Sequence, residues 1–144
     1  IEEYRNRGIN VTALSIQNEP NATQTWDSCL FTPDEERLFL KEYLYPELCK
    51  AGISDIQVYV WDHNKERLYD RACSVITDDT VDIVSGIAFH WYSGDHFEQL
   101  EMFNKLYPQK DIVFSPKLLF SFLYILHKNA PRFLYTPPNR SVNF

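Results

Sequence analysis

The 144-residue chain lacks several features that would point to particular classes of protein. It has no basic excess: 14 Lys and Arg against 20 Asp and Glu give a net charge of −6. This balance argues against a nucleic-acid partner, because phosphate binding requires a basic patch. The most apolar stretch, residues 118–126, is much shorter than the roughly 20 residues that cross a bilayer. The sequence therefore predicts no transmembrane segment.

Metal-ligand patterns are also missing. Cysteine is scarce, and the three present do not follow the spacing of a metal site: Cys29, Cys49 and Cys73. Three of the four histidines fall on different predicted loops and likewise show no ligand-like spacing: His63, His90 and His96. We therefore predict no metal site.

What the chain does contain is a repeated strand–helix pattern. Apolar segments predict strands that start at Val11 and stop before Pro20, and that span residues 56–61, 86–92 and 111–115. One helix is predicted before the first strand, over residues 2–7. Three more are predicted between the strands, over residues 32–51, 65–76 and 95–106. This βαβαβαβ order predicts an α/β fold with neighbouring parallel strands.

Two helix starts carry a capping signal. Thr32-Pro33-Asp34-Glu35 is a capping box with Thr32 as the N-cap residue. Asp95 to Glu98 resembles a second capping box. Pro46 predicts a kink within the helix that follows Thr32.

Polar side chains gather where each predicted strand ends. Glu19 follows the first strand, Asp62 and Asn64 the second, and His90 ends the third. In an α/β barrel this carboxyl edge holds the catalytic groups. A complete (β/α)₈ barrel needs roughly 250 residues, so this chain can supply only part of one.

Four motifs in this order resemble glycoside hydrolase family 30, the family that includes glucosylceramidase. They are Asn-Glu-Pro at residues 18–20, Trp-Asp-His-Asn-Lys at 61–65, Gly-Ile-Ala-Phe-His-Trp-Tyr at 86–92, and Tyr-Pro at 107–108 before the last strand. The resemblance covers about residues 4–115. It implies a partial (β/α)₈ barrel, about strands four to seven, and a retaining mechanism without a cofactor.

The resemblance also implies roles for the motif residues. Retaining glycosidases use two carboxyl groups about 5–5.5 Å apart, one as acid/base and one as nucleophile. Glu19 corresponds to the acid/base, and Asn18 to the residue that hydrogen-bonds the sugar 2-hydroxyl. The family's nucleophile is a glutamate two residues after the last strand's phenylalanine, where this chain has Pro116. The chain as written is therefore predicted to be inactive in hydrolysis.

Five further residues are implied to contact substrate or the reaction centre: His90, Trp91, Tyr92, Asp62 and Asn64. For Trp91, ordinary packing at the barrel mouth is the alternative. For Asp62 and Asn64, the alternative is the polarity of a solvated loop.

Residues 117–144 differ from the rest of the chain. They contain four basic and no acidic residues, whereas the preceding part carries a charge of −10. We predict a partial glycoside hydrolase domain over residues 1–116 and a poorly ordered tail outside the family's fold over 117–144. One hypothesis for this tail is an artefact of the gene model.

The resemblance implies hydrolysis of a β-glucoside, for example glucosylceramide to glucose and ceramide, in a lysosomal or secreted setting. It leaves open an activator protein or a membrane-surface contact. Two alternatives remain: a non-catalytic sugar- or glycolipid-binding remnant, and another family 30 activity such as a β-xylosidase or an endo-acting glycanase.

Overall fold

The computed structural model describes residues 1–25 and 27–115. A short helix opens this part of the chain, and four strands then alternate with helical segments. The elements are α1 (Glu2–Asn6), β1 (Ala13–Ser15), α2 (Pro33–Phe39), a π-helical turn (Leu40–Leu44), α3 (Tyr45–Lys50), β2 (Gln57–Asn64), a 3₁₀ turn (Lys65–Arg67), α4 (Leu68–Val75), β3 (Val84–His90), α5 (Phe97–Leu106) and β4 (Asp111–Phe114).

The four strands form one parallel sheet in the order β1-β2-β3-β4. Ala13 pairs with Gln57, and Gly86 pairs with Asp111, so each strand lies beside its neighbour in the sequence. A helix follows each of the first three strands. This confirms the predicted α/β class and the run of parallel neighbours.

The two faces of the sheet bury different layers. One face packs against the helices through large apolar side chains, among them Leu40, Val60 and Phe103, all completely buried. The other face carries a small cluster of Ala13, Tyr59 and Ala88, with Val113 packed against it. Apolar side chains thus point to both sides of the sheet, as in a strand covered on both faces.

The strand bounds differ from the predicted ones at both ends. β1 keeps only three residues of the predicted apolar run, and Glu19 follows it at a distance with a left-handed backbone, φ +50°. β2 instead extends to Asn64, so Asp62 lies within the strand rather than after it. A register shift between Trp61 and His63 accommodates this extension.

Helix ends follow the capping signals in one case and not in the other. Thr32 accepts a hydrogen bond from the Glu35 backbone N–H, and the Glu35 carboxylate accepts one from the Thr32 N–H, which confirms the capping box. The capping box predicted at Asp95 is wrong. Helix α5 begins instead after His96, whose backbone is left-handed (φ +35°) and whose side chain makes no capping hydrogen bond.

The predicted kink at Pro46 coincides with an interruption of the helix. The π-helical turn ends at Leu44, and Pro46 lies in the first turn of α3. Proline has no N–H to donate to a carbonyl in the preceding turn, so the chain widens into π geometry at that point.

Strands β3 and β4 approach each other very closely at Gly86. A Cβ atom added to Gly86 would lie 2.1 Å from the backbone oxygen of Asp111. The same end of the sheet is fixed by side chains, because the Tyr59 hydroxyl donates to the Asp111 carboxylate at 3.0 Å. The Lys110 ammonium also donates to the backbone oxygens of Val81 and Val84.

Candidate active site

Two buried carboxylates and one buried imidazole meet at the carboxyl edge of the sheet. The Glu19 Oε1 atom lies 3.2 Å from His90 Nδ1, and the Asp62 Oδ1 atom lies 3.2 Å from His90 Nε2. His90 is 1% exposed, and both carboxylates are 6% exposed. The backbone N–H of Glu19 also donates to the Asp62 carbonyl oxygen at 3.0 Å. These three residues form one unit, which we call the triad.

The backbone around the triad is strained. Glu19, Trp61 and Asp62 have φ values of +50°, +74° and +43°, in the left-handed region that non-glycine residues rarely adopt. Each such residue costs on the order of 1–3 kcal/mol and persists only where its surroundings fix it. Strain of this kind is concentrated at functional sites.

The triad geometry brings one imidazole into contact with two carboxyl groups. A neutral imidazole has a single N–H and can donate to only one of two flanking carboxylates. Which of the two contacts the ring donates to therefore depends on the tautomer of His90.

Asp62 is the member of the triad most firmly held as a carboxylate. Ser115 Oγ donates to Asp62 Oδ1 at 2.5 Å, and His90 and Ser15 also hydrogen-bond this carboxyl. Burial acts to raise the pKa of Asp62, but these hydrogen bonds outweigh burial and hold the pKa below its ordinary value. The ionised carboxylate of Asp62 is thus suited to orient the His90 ring.

We expect this depressed pKa to appear in the pH dependence of stability. A carboxyl with a lowered folded pKa contributes stability above its unfolded value of 3.8 and loses it as the pH falls through the folded pKa. Asp62→Asn should therefore lower the free energy of unfolding by about 1–3 kcal/mol at neutral pH. Urea unfolding of both chains should show this difference shrinking as the pH falls below 3.8. A difference that stays constant over that range would contradict the assignment.

Glu19 has a second side-chain partner that the sequence did not indicate. Gln24 Nε2 donates to Glu19 Oε2 at 2.6 Å from the loop after β1. With His90 at the other oxygen, the carboxyl of Glu19 is oriented from both sides. No pattern in the sequence signals Gln24. Ser115, by contrast, follows directly after β4 and shares the strand-end position of the other site residues.

His63 and Asn64 connect the strand ends around the triad. The His63 ring stacks on Trp61 at 4.8 Å between centroids, and its Nδ1 accepts from the Asn64 backbone N–H at 2.7 Å. Burial lowers the pKa of the His63 ring below its ordinary value. Asn64 Oδ1 in turn accepts from the Tyr92 backbone N–H at 3.1 Å. Asn64 thus ties the end of β2 to the segment after β3.

The remaining predicted residues lie at the rim of the site. Tyr92 is 49% exposed and its ring packs edge-on against His90, with centroids 5.7 Å apart. Trp91 is 61% exposed and contacts the ring of Tyr92. Asn18 is half-buried directly before Glu19. Pro116 and the predicted tail, residues 117–144, lie outside the described residues.

The described part of the chain contains no helix that is both long and apolar enough to cross a bilayer. Within the same residues, histidine, cysteine and carboxylate side chains form no group of three suited to holding a metal ion.

The sequence matches a known domain family and a known protein. A domain model described as the glycosyl hydrolase family 30 TIM-barrel domain matches residues 1–117. A Caenorhabditis elegans protein named "Putative glucosylceramidase 3" is 31% identical over 97 residues, which are 63% of this chain and 19% of that protein.

Two solved structures are also similar. SrfJ from Salmonella typhimurium is 45% identical with a TM-score of 0.75, over 79% of this chain and 26% of that one. The endo-β1,6-glucanase BT3312 is 27% identical with a TM-score of 0.73, over 80% of this chain and 26% of that one. The chain thus spans about a fifth to a quarter of the length of these relatives.

Proposed function

Because this chain belongs to glycosyl hydrolase family 30, we propose that it carries the proton-donating half of a retaining β-glucosidase site. The family is one of glycosidases, and this chain contains part of its (β/α)₈ barrel. The reaction itself is a proposal, because the chain spans only part of the relatives that it matches.

We assign the acid/base role to Glu19. A general acid must hold a proton at neutral or mildly acidic pH and release it to the leaving oxygen. The observation that supports this role is the triad, in which His90 lies between Glu19 and the anionic Asp62. An acid/base residue must donate a proton in the first step of a retaining mechanism and accept one in the second, and the His90 ring lies beside Glu19 in the triad.

The sugar would lie over the rim residues. In this proposal Asn18, the residue before Glu19, hydrogen-bonds the sugar 2-hydroxyl, and Tyr92 extends the site next to His90. Trp91, largely exposed, offers an apolar surface for the sugar or its aglycone. Asp62 and Asn64 act from behind, since their side chains are engaged with His90 and the Tyr92 backbone.

The names of two relatives support a proposal for the substrate class. One is named as a glucosylceramidase and another as an endo-β1,6-glucanase, and both names refer to glucosides. We therefore propose a β-linked glucose unit as the group recognised by this part of the site. Glucosylceramide and a β-1,6-glucan are both compatible with that choice, and a lysosomal or secreted setting stays a prediction.

Position 116 favours a second candidate function. Proline has no nucleophilic group, so a protein with Pro116 at the nucleophile position would bind a glucoside without hydrolysing it. A transcript read across the codons for residues 114–118 separates the two. A message that encodes Glu at 116 supports hydrolysis, and one that encodes Pro supports binding alone.

Both candidates predict that the chain binds a β-glucoside. Titration of the ¹⁵N-labelled chain with methyl β-glucoside should shift the resonances of Glu19 and His90, with a dissociation constant on the order of 1 mM. Asn18→Ala should weaken binding about fivefold, which corresponds to one hydrogen bond worth roughly 1 kcal/mol. The matched control Asn104→Ala, on the exposed side of α5, should bind like the unchanged chain. If the resonances of Glu19 and His90 do not shift on titration, both candidate functions are contradicted.

A further inference from the structure

A second buried charge pair lies behind the triad. Arg71 on α4 and Glu36 on α2 are 3% and 0% exposed, and Arg71 Nε donates to Glu36 Oε2 at 2.8 Å. Glu36 Oε1 accepts a further hydrogen bond from the Trp61 backbone N–H at 3.2 Å. Among the described residues, the hydrogen bonds of this pair go to groups outside the triad, so the proposed chemistry assigns the pair no role.

Arg71 extends this pair to the loop that follows Glu19. One terminal nitrogen donates to the Phe31 carbonyl oxygen at 2.8 Å, and the other donates to Asn21 Oδ1 at 3.3 Å. The guanidinium also lies 5.7 Å from the centre of the Trp61 ring. A single side chain thus joins two helices, the end of β2 and the loop after β1.

The contacts of this pair fall beside the strained residues. Trp61, which Glu36 holds through its N–H, has φ +74° and directly precedes Asp62. Asn21, which Arg71 holds through its side chain, comes two residues after Glu19. The parallel register shifts directly after Trp61, between Trp61 and His63, so Asp62 has no paired residue in β3. Backbone strain persists where surrounding contacts over-determine it, and these are such contacts.

Stability alone is a weak reason for a buried pair of this kind. Desolvation of two charges offsets most of their attraction, and replacing both with apolar residues is often neutral or stabilising. In agreement, burial raises the pKa of Glu36 in spite of the Arg71 guanidinium beside it. The pair therefore needs another explanation than net stabilisation.

We propose that Glu36 and Arg71 are positioning residues, which hold the Trp61–Asp62 strand end and the loop after Glu19 so that both carboxylates stay against His90. The inference rests on the proposed function, in that it takes Glu19, His90 and Asp62 as the working groups of the site. It adds a set of buried residues, on two outer helices, on which the geometry of the triad depends.

The test uses the full 144-residue chain and the imidazole N–H resonances of His90, assigned through the variant His90→Asn. Ring N–H protons bound to buried carboxylates exchange slowly and give separate low-field NMR signals. The double variant Glu36→Leu/Arg71→Leu removes both charges, so it should keep a thermal midpoint close to that of the unchanged chain. We expect it nevertheless to lose the His90 signals or to exchange them at least about tenfold faster.

Controls separate positioning from folding. Glu101→Gln/Lys105→Gln removes an exposed ion pair on α5 and should leave the His90 signals unchanged. Glu36→Leu alone strands the Arg71 charge and should lower the thermal midpoint by about 10 °C. Arg71→Lys should also lose the His90 signals or exchange them faster, because an ammonium group cannot reproduce the planar fork of a guanidinium.

Each outcome decides the inference. A folded double variant with unchanged His90 signals would overturn it and leave the pair with a packing role only. If the double variant fails to fold, Arg71→Lys decides: it keeps the charge of the pair but loses the guanidinium hydrogen bonds to Phe31 and Asn21, and His90 exchange that stays unchanged in this variant would equally overturn the inference. Low-field His90 signals missing from the unchanged chain would contradict the triad itself, and with it the proposed function.

Discussion

Glu19→Gln should reduce cleavage of a β-1,6-glucan about 10²–10⁴-fold when residues 1–115 stand within a complete barrel. The host for this test is the endo-β1,6-glucanase BT3312, in which residues 1–115 replace the corresponding segment. The host supplies the remaining strands, so the assay asks only whether Glu19 provides the proton. The loss corresponds to about 3–5 kcal/mol of transition-state stabilisation, in the range of a positioned general acid.

The leaving group tests this assignment further. The dinitrophenolate of a dinitrophenyl β-gentiobioside leaves without being protonated. Glu19→Gln should therefore slow formation of the glycosyl-enzyme from this substrate far less than it slows glucan cleavage. Azide should then react with the intermediate and give a β-glycosyl azide. The matched control Glu98→Gln, an exposed carboxylate on α5, should leave both rates unchanged. Equal losses on both substrates would rule out an acid/base role for Glu19.

Gly86→Ala is expected to destabilise the chain by about 3 kcal/mol or more. The new Cβ would lie 2.1 Å from the Asp111 backbone oxygen, far inside any contact that two such atoms tolerate. Backbone cannot rotate away as a side chain can, so β4 must move away from β3. Because Ser115 follows β4 and donates to Asp62, this movement should also loosen the triad.

The control for this prediction is Gly8→Ala. Gly8 has a left-handed backbone, φ +81°, but no atom lies within 4 Å of its added Cβ. Its substitution should therefore cost only the conformational strain, about 1–2 kcal/mol. Urea unfolding of the two variants measures the difference. If Gly86→Ala is no less stable than Gly8→Ala, the close approach of β3 and β4 is not as described.

The placement of the site was predictable from the sequence because it depends on local rules. A strand that ends in polar residues presents them at the carboxyl edge of a parallel sheet, whatever the details of packing. This rule alone brings Glu19, Asp62 and His90 to one edge. The capping box at Thr32 is equally local, and the structure confirms it.

Long-range contacts account for what the sequence did not predict. Arg71 and Glu36 are 35 positions apart, and no spacing rule links an arginine on one helix to a glutamate on another. The predicted cap at Asp95 failed for a related reason. His96 adopts a left-handed backbone there and takes the N-cap position without a side-chain bond, so tertiary placement overrode the local signal.

The strict sequence order of the strands has a consequence for how the protein is made. Within the described residues, each strand after β1 pairs with the one synthesised just before it, so none of β2, β3 and β4 must wait for a distant partner. A chain emerging from the ribosome can therefore add one strand–helix unit at a time to a growing edge. Glu19 and Asp62 emerge first, His90 then joins them with β3, and Ser115 completes the hydrogen bonds with β4. The hydrogen bonds of the triad can thus form in the order of translation.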